Sequence, residues 1–351
     1  MLSRRSFAML LGAAATAGVA ACSGNKDTSP QSSGSSTPGN ASSSSAPGDS
    51  FPVTITHAFG ETVIQKKPER IATIAWANHE VPLALGIVPV GMSKATWGDD
   101  DGDGLLPWVK DKLTELGAET PVLFDETDSI PFEQVNETKP DVILAAYSGI
   151  TQEQYDTLSK IAPVVAYPKL AWGTSMNEMI KLNSQAMGMT AEGEKLVSSL
   201  KEQVNAALEK HSGLKGKKVL FAFPNAEDLS KIGFYTSHDP RPGFLIEHGL
   251  PAPQVVVDES AKTEAFNVEV SAEKPELFED VDIFLGYGPD DPTDLIAALK
   301  ANPLTSRIPA IANDRMVFLG NDPLAASANP SPLSIPWGID KYFAKLAEAL
   351  K

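Results

Sequence analysis

The stretch that decides the fold runs from Thr190 to Gly213 and reads TAEGEKLVSSLKEQVNAALEKHSG. Leu196, Leu200, Val204 and Leu208 recur four residues apart, which places them on one stripe of a helix with ~3.6 residues per turn. Thr190 stands where a helix N-cap is favoured, and Gly213 where a C-cap is. An apolar stripe along so long a helix needs partners along its whole length, so the helix is expected to span two packed lobes. A shorter helix, about Ser175 to Met187, precedes it and stops at Gly188.

On both sides of this joint, β-branched apolar runs alternate with helical patterns, the signature of parallel strands with crossover helices. Before it, Ile71–Ala75, Val88–Met92, Val142–Ala146 and Val164–Tyr167 read as strands. After it, Val219–Phe223, Val255–Asp258, Val281–Tyr287 and Met316–Leu319 do. The reading is therefore α/β, with two Rossmann-like lobes joined by a long rigid helix and a ligand cleft between them. Residues 51–174 form the first lobe, 175–213 the linking helices and 214–351 the second lobe.

The front of the chain is of another kind. MLSRRSFAMLLGAAATAGVAAC, residues 1–22, carries two arginines and then an Ala- and Gly-rich apolar run too short for a membrane-spanning helix, which reads as an export signal. Ser3, Arg4, Arg5 and Phe7 resemble the twin-arginine motif, with the general secretory route as the alternative. Val19, Ala20, Ala21 and Cys22 match a bacterial lipobox, in which Cys22 takes the lipid. Residues 23–50 are rich in Ser, Gly and Pro without apolar periodicity, the composition of a disordered tether. Cys22 is the one cysteine, so the folded part relies on ordinary packing.

Lys and Arg number 29 against 45 Asp and Glu, a formal net charge of -16. Such a balance disfavours nucleic acid, whose phosphates need cations. It suits a soluble domain that does not lie on an anionic lipid surface.

Four segments carry a resemblance to a known family: PERIATIAWANHEVPLALGIVPVGMS (68–93), FEQVNETKPDVILAAYSGITQEQYDTLSKIAPVV (132–165), VSAEKPELFEDVDIFLGY (270–287) and NPSPLSIPWGIDKY (329–342). In this order, behind a lipobox and around the joint helix, they resemble the helix-linked substrate-binding lipoproteins of ABC importers for ferric siderophores, haem and cobalamin. The resemblance implies a monomer held by lipid at the outer face of the cell membrane. It would capture a ferric siderophore and pass it to a permease with its ATPase, without chemistry or cofactor. Haem or cobalamin is the alternative ligand, and an extracytoplasmic lipoprotein enzyme the more distant one. The family's two permease-docking carboxylates fall on Glu133 and Glu273, each expected in the first turn of a helix, where the helix dipole alone also favours a carboxylate.

A bulky ferric complex needs aromatic walls and a few donors. Trp76, Trp97 and Tyr147 follow or end first-lobe strands, where open α/β sheets bind ligands, and Trp172 sits in a loop before the linking helices. In the second lobe Tyr235 and Arg241 share the loop FYTSHDPRPGF, Tyr287 ends a strand, and Trp337 lies in the closing segment. For each aromatic alone, burial in its own lobe is an equal reading, and for Arg241 so is a local ion pair with Asp239. Asp99, Asp101 and Asp103 imitate a calcium loop, but Lys110 stands where a bidentate Glu would be needed, so a plain acidic loop is the better reading. His57, His79, His211, His238 and His248 are scattered, which disfavours a metal cluster unless folding gathers His79 and His238. Nucleophile-elbow, P-loop, dinucleotide and zinc-protease motifs do not occur.

Overall fold

The computed structural model describes residues 50–351. The export segment, Cys22 and nearly all of the tether lie outside the described residues.

The first described element is a hairpin of β1 (Val53–His57) and β2 (Gly60–Ile64), whose inward residues Val53, Ile55 and Ile64 alternate with outward ones. Strands and helices then alternate. They are β3 (Ile71–Thr73), α1 (Glu80–Ala84), β4 (Gly91–Ser93), α2 (Pro107–Glu115), β5 (Val122–Phe124), α3 (Phe132–Glu137), β6 (Val142–Leu144), α4 (Gln152–Leu158) and β7 (Val164–Val165). The strands are parallel and lie in the order β5-β4-β3-β6-β7. Chain order reverses between β3 and β6, and that reversal opens a crevice at their carboxyl ends.

Next come α5 (Met176–Ala186), capped by Ser175, and α6 (Thr190–Lys210). The second sheet follows with β8 (Val219–Ala222), β9 (Lys231–Tyr235), α7 (Pro240–Glu247), α8 (Gln254–Ser260), β10 (Asn267–Ser271), β11 (Ile283–Tyr287), α9 (Thr293–Ala301), α10 (Pro309–Ala312) and β12 (Met316–Leu319). Its order is β10-β9-β8-β11-β12, with β9 antiparallel to both neighbours and β8, β11 and β12 parallel. Chain order here reverses between β8 and β11. The chain ends with α11 (Pro323–Ser327) and α12 (Ser334–Ala347).

The joint is broader than one helix. The 21 residues of α6 reach ~30 Å at about 1.5 Å each, and the helix packs against both α5 and α12. Leu200, Val204 and Leu208 are buried as the spacing predicts, while Leu196 is only partly covered. Thr190 is the first helical residue and not the cap, and Gly213 falls in a 3-10 turn. One unbroken apolar core runs from Val142 of the first sheet through Ile180 and Val204 to Phe221 and Leu285 of the second and Phe343 of α12.

Two expectations are corrected. Val255–Asp258 is helical, not a strand: its three valines favour a strand on composition, but Pro253 precedes them and the Asp280 carboxylate accepts the Gln254 N–H at 3.0 Å. Val255 and Val256 then pack inward while Val257 stays 48% exposed. Glu273 is not in a helical first turn; it lies in the link after β10, ahead of a four-residue 3-10 turn, Pro275–Phe278. Several strands are shorter than their apolar runs. Ile71–Ala75 stops at Thr73 because Ala75 adopts a left-handed φ of 59°, and the run Val88–Met92 pairs only from Gly91.

Candidate functional site

The two sheets turn their carboxyl ends toward one cavity of about 280 Å³, lined by Trp76, Trp97, Tyr147, Trp172, Arg241, Phe266, Tyr287 and Asn329. Six of these are residues that the sequence singles out. Trp76 follows β3 and Tyr147 follows β6, at the reversal point of the first sheet; Tyr287 ends β11 at that of the second.

The walls are built from ring contacts, one of which crosses the cleft. Trp97 meets Tyr287 edge to face at 5.2 Å between centroids and lies 6.1 Å from Trp76. Trp172 meets Tyr147 edge to face at 5.4 Å. The Asn329 amide donates to the Tyr147 hydroxyl at 3.0 Å, joining the first sheet to the segment before α12. Ring pairs of this geometry contribute about 0.5–1.5 kcal/mol each beyond the area they bury.

Backbone strain is concentrated here. Of five described non-glycine residues with left-handed φ, Ala75, Ala77 and Trp172 adjoin the cavity. Such a conformation costs roughly 1–2 kcal/mol, and specific donors and acceptors hold it. Both oxygens of Glu126 accept the Ala75 N–H, at 3.1 and 3.0 Å, and Oε1 also accepts the Ser93 hydroxyl. The Asn78 side chain donates to Ile74 O at 2.9 Å and Tyr147 O at 2.8 Å and accepts the Tyr147 N–H at 3.2 Å. Trp76 is thus displayed on a loop stitched to β6. Neither Asn78 nor Glu126 stands out in the sequence, since an Asn or Glu past a strand has no spacing signature.

Arg241 is the cation of the cavity. It lies in the first turn of α7 and not in a loop, because Asp239 caps that helix by accepting the Arg241 N–H at 2.9 Å. The same carboxylate takes Nε at 2.8 Å and Nη2 at 2.7 Å in a fork, and its side chain is fully buried. The guanidinium stacks on Tyr235, with Cζ 3.6 Å from the ring centroid, and stands 5.9 Å from that of Tyr287. Burial opposes its charge, but the hydrogen bonds and charge of Asp239 outweigh burial and hold its pKa above the ordinary value. The ion pair and the cavity position therefore coexist: Asp239 orients the cation. Tyr235, the last residue of β9 and not part of a loop, does not line the cavity itself, yet forms the platform under Arg241.

Trp337 is placed elsewhere. It belongs to α12, against Trp108 at 5.0 Å and under the Lys341 ammonium at 4.3 Å. Trp108 donates Nε1–H to Glu80 at 2.8 Å, and the other Glu80 oxygen accepts the Leu333 N–H at 2.8 Å. Glu80 is 1% exposed, and this burial pushes its carboxyl up to about 7. It therefore ties α1 and α2 to the segment leading into α12.

Folding does not gather His79 and His238. The His238 Nε2 bonds Ser260 O at 3.0 Å and Thr263 O at 2.9 Å, and among the described residues neither His79 nor His238 belongs to a group of three or more metal-ligating side chains. Asp99, Asp101 and Asp103 do converge, but the Lys110 ammonium bridges Asp101 and Asp103 at 2.6 Å each, where a cation would sit. Glu133 is exposed in the first turn of α3, and Glu273 is exposed in its link. Neither carboxylate has an ion-pair partner among the described residues.

The fold and the cavity define a two-lobed α/β receptor that holds a small ligand between facing sheet ends. Residues 71–323 match the family described as periplasmic binding protein, and the chain belongs to that family, whose members are binding proteins rather than enzymes. It is 29% identical over 245 residues to the probable siderophore-binding lipoprotein YfiY of Bacillus subtilis, covering 68% of this chain and 70% of that relative. It is 47% identical to Streptococcus pneumoniae PiaA, solved in complex with ferrichrome, with a TM-score of 0.80 over 85% of this chain and 98% of that one. A periplasmic solute binding protein of Mycobacterium smegmatis is 26% identical, with a TM-score of 0.67 over 85% and 99% of the two chains. None of the described helices is long and apolar enough to cross a membrane.

Proposed function

We propose that this protein is the extracytoplasmic receptor of an ABC importer, anchored by lipid on Cys22, and that it captures a ferric siderophore between its lobes without chemical change. The observation that carries the reading is the cavity where Trp76, Trp97, Tyr147, Trp172 and Tyr287 surround an arginine oriented by Asp239. Aromatic faces suit the apolar bulk of a chelate, and a stacked guanidinium suits its oxygen-rich face. The likeness to PiaA with ferrichrome supports it.

In this reading Glu133 and Glu273 dock the loaded receptor on the permease, and the tether keeps it near that permease at high effective concentration. Two phenols that could serve haem already have partners: the Tyr147 hydroxyl accepts from the Asn329 amide at 3.0 Å, and the Tyr287 hydroxyl donates to Ala325 O at 3.4 Å. Intrinsic tryptophan fluorescence titrated with ferric siderophores, haemin and cobalamin tests the proposal. Saturable quenching by a ferric siderophore is expected, and silence toward every siderophore class refutes it.

A further inference from the structure

A second cavity, of about 500 Å³, adjoins the aromatic one and shares Trp76 and Trp172 with it. Small-ligand pockets hold roughly 300–1,000 Å³, and the aromatic cavity alone, at about 280 Å³, falls just short of that range. A bulky chelate seated on Arg241 must therefore extend into its neighbour. Met92, Leu106 and Ile150 give the second cavity apolar surface, and Glu126 gives it a half-buried carboxylate.

Counted together with the ion-pair partners of their two cations, the joined cavities carry two more carboxylates than cations. Arg241 is matched by Asp239 at 2.7 Å, and Lys94, the cation lining the second cavity, faces Asp125 at 3.5 Å. Glu126 and Asp128 line the same cavity with no cation in ion-pair reach among the described residues. His79 adds no charge near neutrality, because burial pulls its pKa down to about 4. A carboxylate has about four acceptor positions. The Ala75 N–H and the Ser93 hydroxyl are the donors the chain supplies to Glu126.

Resting on the siderophore reading, we infer that Glu126 receives an N–H or ammonium donor on the ligand's organic scaffold. The joined cavities then select an uncharged or cationic ferric chelate of the hydroxamate class over anionic catecholate and carboxylate chelates. A desolvated anion meets like charge here with no unpaired cation to offset it.

The test uses the full chain and one iron shell with three tails: ferric ferrioxamine B, which ends in an ammonium, and its derivatives acylated on that amine with acetyl or with succinyl. Fluorescence quenching should rank them ammonium, acetyl, succinyl, with about tenfold between the ends, and the spread should shrink in high salt. Glu126→Gln should bring all three within about twofold of one another. A succinyl derivative that binds wild-type protein as tightly as the ammonium form overturns the inference. So does tight binding of a ferric tris-catecholate with none of the three hydroxamates, a result that leaves the siderophore reading standing. Silence toward hydroxamates and catecholates alike refutes that reading itself.

Discussion

Gly149→Ala probes the cleft wall with a single methyl group. A Cβ built on Gly149 would lie 2.0 Å from Trp172 Nε1, 2.6 Å from Cε2 and 2.8 Å from Cδ1. Carbon contacts are comfortable at about 3.5–4.0 Å, so the indole must retreat by roughly 1.5 Å. Its backbone cannot follow easily, because Trp172 is held at φ 59° with its N–H on Ser148 O at 2.8 Å. The ring therefore pivots, giving up its edge-to-face contact with Tyr147 and narrowing the cavity it lines. Losing one aromatic contact and the fit around it corresponds to about 1.5–3 kcal/mol of binding energy, a 10- to 100-fold weaker Kd. A calorimetric titration with a ferric hydroxamate reads the Kd, and thermal denaturation checks that the fold survives. In a Trp172→Ala background the same Gly149→Ala change should cost almost nothing further, because its mechanism has been removed. Binding within about twofold of wild type by the single variant, or an equal loss in both backgrounds, refutes the steric argument.

Asp239→Asn should lower stability by about 3 kcal/mol in urea unfolding, because it leaves a largely buried guanidinium without its counter-charge. Arg241→Lys, which gives up the fork and the stacking, should weaken ferric ligand binding about tenfold in a quenching titration. Glu80 binds its proton more tightly folded, at about 7, than its ordinary 4.5. The stability it contributes is therefore full below about pH 4.5 and is lost as pH rises through 7, a change on the order of 3 kcal/mol. Subtracting the pH profile of Glu80→Gln from that of wild type should isolate this slope. Glu133→Ala with Glu273→Ala should leave the Kd unchanged and abolish cellular uptake of radiolabelled iron; normal uptake removes the docking assignment. Cys22→Ala should release a binding-competent protein into the medium, detected by immunoblot of cell and supernatant fractions.

Much of the fold can be read from spacing. The Leu200, Val204 and Leu208 stripe marks α6 because a single helix face is buried along its length, and runs such as Met316–Leu319 mark strands buried on both faces. Strands with an exposed face carry weaker patterns: NVEVS of β10 keeps no residue fully buried, and the valines at 255–257 mislead because capping outweighs β-propensity. In the cleft, the aromatic positions at strand ends are legible because topology puts them at the reversal points. Their supports are not. Asn78, Glu126 and Asn329 act through partners at sequence distances of 69, 51 and 182 residues, and no local pattern announces such pairings.

The same supports bear on how the receptor works. Three left-handed residues around the cavity store several kcal/mol at roughly 1–2 kcal/mol each, and the Asn78 and Glu126 bonds hold two of them in place. The unbroken core through α5, α6 and α12, together with the Glu80 bond to Leu333 and the Asn329 bond to Tyr147, resists wide separation of the two sheets. Binding is thereby relieved of much of the ordering cost that mobile side chains would impose. Selectivity must then arise from the fixed shape and charge of the cleft rather than from closure around the ligand, which is why a methyl group at Gly149 or a proton-donating tail near Glu126 should register so directly in the Kd.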